Sequence, residues 1–409
     1  MSDPFTLVPV ALVVGGWAAW RGIERLLDGP SPSERPDPGL EQAVRDQLGP
    51  LPPGLALHVW RYAGPDGRGA RIVVRGACPT LSISCERGGQ IELGDRRLDE
   101  RFCCVGPAHV VRALMTAEAR TALLRLVESP AVRARSLAVH HGRLSVDVPR
   151  GGVRFSGAAC ADAAEDAVDL VRRLQAPGDV LARLAANALT DPESDVRVAN
   201  LVQLRHDFPD RAETKVALQD ALAHDDPALR LAAALALGEE GRATLVALAE
   251  HGDDAIAAAA IEALGTLPLA TMRRLLSYAL SPRPGEAGPM RPSTARACAD
   301  VLARSGEGEA VELLADVLAA RHTAVALAAV HALRRIGTVA VVAPLHDAAR
   351  THPDAEVRAA ARGARDDVQM ELVDAAPGQL SLSGGDAGAV SLAEDASGRV
   401  SLPPAKGAP

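Results

Sequence analysis

Apolar positions change their period along this chain. Over residues 177–370 they recur at helical spacing, and one short phrase returns: an apolar leader, Arg or Ala, any residue, Ala, then Leu five positions after that Ala. It reads Val196-Arg197, Ala199, Leu204; then Leu229-Arg230, Ala232, Leu237; then Ile256-Ala257, Ala259, Leu264; then Val325-Ala326, Ala328, Leu333; with a partial copy at Val357-Arg358 and Ala360. The leaders are 33, 27, 69 and 32 residues apart, and the 69 is two repeats. The displaced member falls at residues 295–303, behind a Pro- and Gly-rich insertion at 281–292 that must loop out of the stack. Self-similarity at a period of about 30 residues predicts helix pairs, each unable to bury its apolar face alone and so stacked on its neighbours. Second helices are expected at 243–249, 272–280, 311–318 and 341–348, and the recurring Ala is expected at the helix contacts, where a small side chain lets axes approach closely. Gly238, Gly265, Gly306 and Gly337 stand where a left-handed residue closes a helix.

The period shortens between residues 39 and 175. Runs at 55–62, 71–75, 81–85 and 91–93 read as strands, and 137–140 with 144–148 read as a hairpin around His141-Gly142-Arg143. Helices are expected at 109–115, at 117–127 with Thr116 as N-cap, and at 161–174 with Ala164, Val168, Val171 and Leu174 on one face. This is an α+β module placed ahead of an all-α array.

The ends differ from both. Residues 4–20 carry no charge, contain Pro9, end in Trp17 and Trp20, and are followed by Arg21 and Arg25. That pattern predicts a short membrane anchor within residues 1–28, with the bulk of a single-pass inner-membrane protein on the cytoplasmic side. A buried or peripheral helix in a soluble cytoplasmic protein is the first alternative, and a cleaved signal peptide, which fits worse for want of an n-region positive charge and a small-x-small cleavage site, is the second. Residues 29–38, Gly-Pro-Ser-Pro-Ser-Glu-Arg-Pro-Asp-Pro, read as a linker. The tail, residues 371–409, is rich in Gly, Ala, Ser and Pro and is expected to be disordered. One phrase recurs in it at intervals of ten, with Leu380, Leu382, Val390, Leu392, Val400 and Leu402 flanking Ser381, Ser391 and Ser401. Such phrases suit strand addition or a peptide groove, and multivalency would raise their effective concentration; a tandem duplication without function is the other explanation.

Composition narrows the chemistry. Aromatic residues are 2% of the 409 against 48% hydrophobic, so Ala, Leu and Val must fill the interior. Net charge is −8, and residues 177–370 hold 20 basic against 27 acidic residues, which lacks the electrostatic footprint of a nucleic-acid binder. No nucleic-acid partner is expected. Residues 39–175 are weakly basic, with 19 against 15. None of Cys78, Cys85, Cys103, Cys104, Cys160 and Cys298 has zinc-knuckle spacing, and they read as buried thiols in a reducing compartment.

No phosphate-cradling Gly-x-x-x-x-Gly-Lys, His-Glu-x-x-His or Gly-x-Ser-x-Gly motif occurs, and no His-Glu dipeptide. His206-Asp207, His224-Asp225 and His346-Asp347 are spread over different repeats, and His140 with His141 would face opposite ways. No catalytic, cofactor or metal residue is therefore assigned.

The repeat phrase, with Asp195, Asp226, Asp253, Asp254 and Asp354 before first helices, is similar to bacterial HEAT repeats of the phycobilisome-lyase-like kind. That resemblance implies a HEAT-type α-solenoid over 177–370. The segment Gly94-Asp95-Arg96-Arg97-Leu98-Asp99-Glu100-Arg101-Phe102 resembles a bacterial module of unknown function found beside an N-terminal membrane segment, whose pattern is Gly-Asp-x-x-Phe-Asp-x-x-Phe; Leu98 departs from it. The expected function is a protein-binding adaptor using the concave repeat surface, locally positive at Arg197, Arg230 and Arg358, together with the tail phrases. An enzyme with its site in the α+β module, at Asp95, Asp99 and Glu100, with the repeats as docking arm, is the rival reading. A nucleic-acid-binding HEAT protein comes third.

Overall fold

The computed structural model describes residues 35–64, 67–77, 82–84, 91–132, 138–140, 142–149, 157–175, 178–281, 291–305, 308–375, 380–382 and 390–392. They divide into two compact units, Met1–Ala236 and Leu237–Pro409.

In the first unit, strands β1 (Arg35–Pro36), β2 (Ala56–Gly64), β3 (Gly67–Arg75), β4 (Ser82–Ser84), β5 (Cys103–Val105), β6 (Ala138–His140) and β7 (Arg143–Pro149) form one antiparallel sheet in the order β1-β2-β3-β7-β6-β4-β5. Register lines up three apolar rows across its centre: Leu57, Val74 and Leu144; Val59, Ile72 and Val146; Ala70 and Val148. All eight are buried. Alternation places these residues on one face, and helices α1 (Pro38–Leu48) and α5 (Gly157–Arg173) pack there, α1 on β2 and α5 on β3 and β7. Between rows, Arg71 pairs with its cross-strand partner Asp147 at 2.7 Å.

Three further helices complete the module's frame: α2 (Arg96–Asp99), α3 (Ala108–Leu114) and α4 (Ala117–Glu128). Thr116 caps α4 as expected, its Oγ1 accepting Ala119 N–H at 3.3 Å. Two departures from the expected elements have physical causes. Residues 91–93 are not a strand, because the Asp99 carboxylate takes the N–H groups of Leu93 (2.8 Å) and Gly94 (2.9 Å) that a ladder would need. Helix α1, unanticipated from the sequence, is set by Asp37, whose carboxylate accepts Leu40 N–H at 3.2 Å with Pro38 in the first turn.

Helices α6 (Val180–Thr190), α7 (Ser194–Asp207), α8 (Ala212–Leu222) and α9 (Pro227–Leu237) follow, and α3 of the module packs on both α6 and α7. The second unit continues with α10 (Arg242–His251), α11 (Asp254–Leu264), α12 (Leu269–Leu280), α13 (Pro292–Ser305), α14 (Gly308–Leu318), α15 (Thr323–Ile336), α16 (Val342–Thr351) and α17 (Ala355–Ala375). First helices α11, α13, α15 and α17 contact one another in succession, and α12, α14 and α16 pack beside them. The displaced repeat is α13, with Ala295, Cys298, Ala299 and Leu302 buried. The ends of the insertion are pinned, since Arg291 N–H donates to Ala279 O at 3.1 Å and the Arg291 guanidinium lies 4.7 Å from the Tyr278 ring. Gly337 is left-handed (φ 66°) and closes α15 through a 3.2 Å bond to Leu333 O.

The expected contact alanines are corrected by one position. Ala199, Ala232, Ala259, Ala328 and Ala360 are half-buried, whereas the residue after each, Asn200, Ala233, Ala260, Ala329 and Ala361, is almost fully enclosed. At 100° per residue the leader, position four and position eight share an arc of about 80° centred on position four, and position three lies about 100° from that centre, at the stripe's edge. The leucines at position eight are buried as expected in Leu204, Leu264 and Leu333.

The single-pass inner-membrane placement is also corrected. Among the described residues no helix is long and apolar enough to cross a membrane. The longest, α17, is 21 residues but is broken by Glu356, Arg358, Arg362, Arg365, Asp366 and Asp367. Residues 4–20, which prompted the anchor expectation, lie outside the described residues.

The one-residue shift is testable. Ala233→Leu should overpack the stack and cost about 1–3 kcal/mol, while Ala232→Leu should stay within about 0.5 kcal/mol, both read as shifts of the urea midpoint.

Candidate functional site

The Gly94-Asp95 segment holds the module to the first repeat helices. Gly94 has φ 88°, and a Cβ there would lie 2.7–2.9 Å from the backbone of Asp195 and Val196 at the start of α7, so only glycine allows this approach. Asp95 caps α2, accepting Arg97 N–H at 3.1 Å, and also meets Arg120 Nε at 3.2 Å. Arg120, 3% exposed on α4, donates twice to Asp191 (2.8 and 2.8 Å) and once to Met115 O (3.0 Å). Burial alone would raise the Asp95 pKa, but Arg97 and Arg120 outweigh it and hold the carboxyl below its ordinary 3.8. Leu98, the departure from the resembled pattern, is fully buried, as is most of Phe102. Glu100 is exposed and pairs with Arg96 at 2.6 Å. The acidic cluster at Asp95, Asp99 and Glu100 thus carries cap, backbone and ion-pair bonds within the fold.

From Asp191 the polar chain runs into the repeats. Arg197 donates to Asp191 O and, at 2.6 Å, to Asp226, which also accepts Ser194 Oγ–H at 2.6 Å. A His-x-Asp turn recurs beside this bond. Asp226 N–H donates to His224 Nδ1 (2.9 Å), leaving Nε2 to donate to Leu189 O (3.2 Å); Asp354 N–H donates to His352 Nδ1 (3.1 Å), whose Nε2 donates to Ala320 O (3.3 Å). Asp354 accepts from Thr323, and Asp254 accepts from Thr294 (N–H 2.8 Å, Oγ–H 2.9 Å) and Ser293 N–H (3.0 Å). Arg358 spends its guanidinium on His352 O (2.7 Å) and Pro353 O (2.8 Å). Arg230 Nε is buried without a hydrogen-bond partner among the described residues. Arg197 and Arg358 therefore sit at equivalent turns with intramolecular bonds, in separate units.

The other sequence candidates scatter. Asp207 accepts from His206 (2.7 Å), His109 (2.8 Å) and Gln203 (2.8 Å), whereas His346 contacts Arg365 at 3.2 Å. Among the described residues no group of three or more His, Cys, Asp or Glu could hold a metal ion. Cys104 and Cys298 are buried thiols pushed up to about 12 by desolvation. Leu380–Leu382 pairs antiparallel with Val390–Leu392, with Ser381 opposite Ser391. The third phrase, Val400 and Leu402, the other tail residues after 375 apart from these two strands, and Cys78, Cys85 and His141 lie outside the described residues, while 371–375 end helix α17.

Two of the open grooves among the described residues lie between repeat helices. One, of about 670 Å³, lies between α7 and α9 and is lined by Val198, Leu201, Val202, Leu231 and Leu235, with Arg205 and His206 at one end. Val202 is 57% and Leu235 52% exposed, unusual for large apolar side chains placed side by side. The other, of about 750 Å³, lies between α14 and α16. Its walls include Val311, Ala315, Leu318, Ala343, Pro344 and Ala348, and Glu312 and Asp347 reach it from the two helices. Sequence reading missed both, because a groove is a property of neighbouring repeats; the apolar residues at positions two and six after a leader, such as Val198, Val202, Leu231 and Leu235, were the available signal.

Residues 288–364 match the HEAT repeats family. A comparison with curated proteins finds no match.

Arg120→Ala should destabilise the first unit by about 3–5 kcal/mol in urea unfolding, since it strands two buried carboxylates. Asp226 behaves like Asp95: burial raises its pKa, Ser194 and Arg197 more than offset this, and it stays below its ordinary 3.8. A folded pKa below the unfolded one gives stability that is present above that value and lost as pH falls through it. Asp226→Asn should therefore lower the urea midpoint near neutral pH and make its fall below about pH 4 shallower than in the unsubstituted protein.

Proposed function

We propose that this chain is a protein-interaction scaffold whose helical repeats form a HEAT-type solenoid and whose partner seats on the repeat surface. The observation that carries this reading is the α7–α9 groove, where Val202 and Leu235 stand more than half exposed on a continuous apolar floor. HEAT repeats generally serve protein interaction, through extended surfaces built by stacked helix pairs. The match over residues 288–364 supports extending that role to this chain. Interaction sites are where soluble proteins keep contiguous apolar surface open. The acidic balance of the array favours a protein partner over nucleic acid.

The tail is read as a second binding element. Support comes from the extended pairing of Leu380–Leu382 with Val390–Leu392, a backbone form suited to strand addition.

The test is differential affinity capture with the full chain and with Val202→Asp/Leu235→Asp. Both positions are exposed, so the variant should melt within a few degrees of the unsubstituted protein while losing its captured proteins. Identical capture by the two folded proteins would overturn the assignment of this groove.

A further inference from the structure

We infer that the groove between α14 and α16 receives a basic segment of a protein partner, with small or apolar residues between its Arg or Lys side chains. This rests on the scaffold reading and specifies partner chemistry at a second place on the same repeat surface.

The floor asks for apolar contact. Val311, Leu318 and Ala348 line it while almost fully enclosed, and Ala315, Ala319, Ala343 and Pro344 leave room above them. The rim asks for positive charge. Glu312 and Asp347 are exposed, line the groove and make no ion pair among the described residues. Glu309 and Asp316 continue the exposed acidic side of α14 and are likewise without an ion pair among the described residues. Some other carboxylates of the second unit do have partners: Asp366 with Arg365 at 2.6 Å, Asp367 with Arg334 at 3.0 Å, Glu250 with Arg274, and Asp254 with the start of α13. No Arg or Lys is among the described residues lining this groove, and Arg350, on the same helix as Asp347, is not one of them. His352 is, but both its ring nitrogens are already bonded, to Asp354 N–H and Ala320 O.

An acidic rim over a low-dielectric floor focuses an attractive potential for cations and repels polyanions such as nucleic acid. Size fits a short peptide. Helix α14 has 11 residues, so the groove runs about 16 Å along it, the span of roughly five residues of extended chain. A segment that alternates basic and small apolar side chains would satisfy floor and rim together.

The experiment measures fluorescence anisotropy of a labelled Arg-Ala-Leu-Ala-Arg peptide and its Glu-Ala-Leu-Ala-Glu counterpart against the full chain. Three proteins are compared: unsubstituted, Glu312→Gln/Asp347→Asn, and Glu239→Gln/Glu240→Gln. The last removes the same charge at exposed positions away from the groove. The Arg peptide should bind better than the Glu peptide, weaken about tenfold with Glu312→Gln/Asp347→Asn, change little with Glu239→Gln/Glu240→Gln, and weaken as salt shortens the screening length. Absence of Arg-peptide binding, equal weakening by the two double substitutions, or equal binding of both peptides would overturn the inference. If the peptide result fails while Val202→Asp/Leu235→Asp still abolishes partner capture, the scaffold reading stands and only this groove's assignment falls. If neither effect is seen, both fall.

Discussion

One guanidinium joins two kinds of architecture. Arg120 is 3% exposed and is shared by Asp95, from the loop before α2, and Asp191, from the turn between α6 and α7. Burying three charges costs several kcal/mol per ion, and only saturated geometry offsets it. Saturation is what the site shows: two parallel bonds to Asp191, one to Asp95 and one to Met115 O, with Asp95 and Asp191 each also capping backbone N–H groups, of Arg97 and Glu193. The same Asp191 passes its main-chain oxygen to Arg197, and Arg197 passes on to Asp226. A polar chain thus runs from the sheet module through two successive repeat turns, beside the close approach that Gly94 permits. The first repeat helices are consequently not a free end: α3 covers α6 and α7, where a terminal repeat would otherwise expose apolar surface.

Much of this fold was legible, and what was not has a common cause. Local period identified the strands around Leu57, Ile72 and Val146 and the repeat helices around Leu204, Leu264 and Leu333, because each depends on residues a few positions apart. The contact alanine was misplaced by one residue because a phrase shows what recurs, not which side of the recurring stripe faces inward. Ile91, Glu92 and Leu93 looked like a strand, and a carboxylate six residues away took the N–H that a strand would have used. The Arg120–Asp191 pair spans 71 residues and leaves no periodic trace. Of the three Arg residues expected at a partner surface, Arg197 and Arg358 recur for a local reason visible only in three dimensions, since each holds carbonyls at its own turn. The Gly-Asp segment was recognisable as a unit, while its structural role required the facing turn of α7.

The division of acidic side chains follows from the same accounting. Asp226, Asp254 and Asp354 stand at the starts of first helices, where helix N-termini and hydroxyls of adjacent repeats stabilise the ionised form. Acid at these positions is consumed by folding. Acid on the exposed side of α14 is not, and Glu312 of α14 with Asp347 of α16 borders an apolar floor. A net negative array therefore has two populations of carboxylate, one that fastens repeat to repeat and one that faces outward and selects what approaches.

The alanines that edge the buried stripe link packing to recognition. A residue three positions after the leader lies between the enclosed core and the open face, and a large side chain there would fill the cleft to the next repeat. With Ala232 at that position, Leu231 and Leu235 of α9 and Val198 and Val202 of α7 border a groove instead of meeting over a filled seam. The chain has few aromatic side chains to fill such clefts, so openness between repeats is a direct outcome of composition. The small residues that let helices stack closely are, one position along, the residues that leave the array's surface grooved, and a partner that supplies the missing apolar volume gains burial the chain cannot obtain alone.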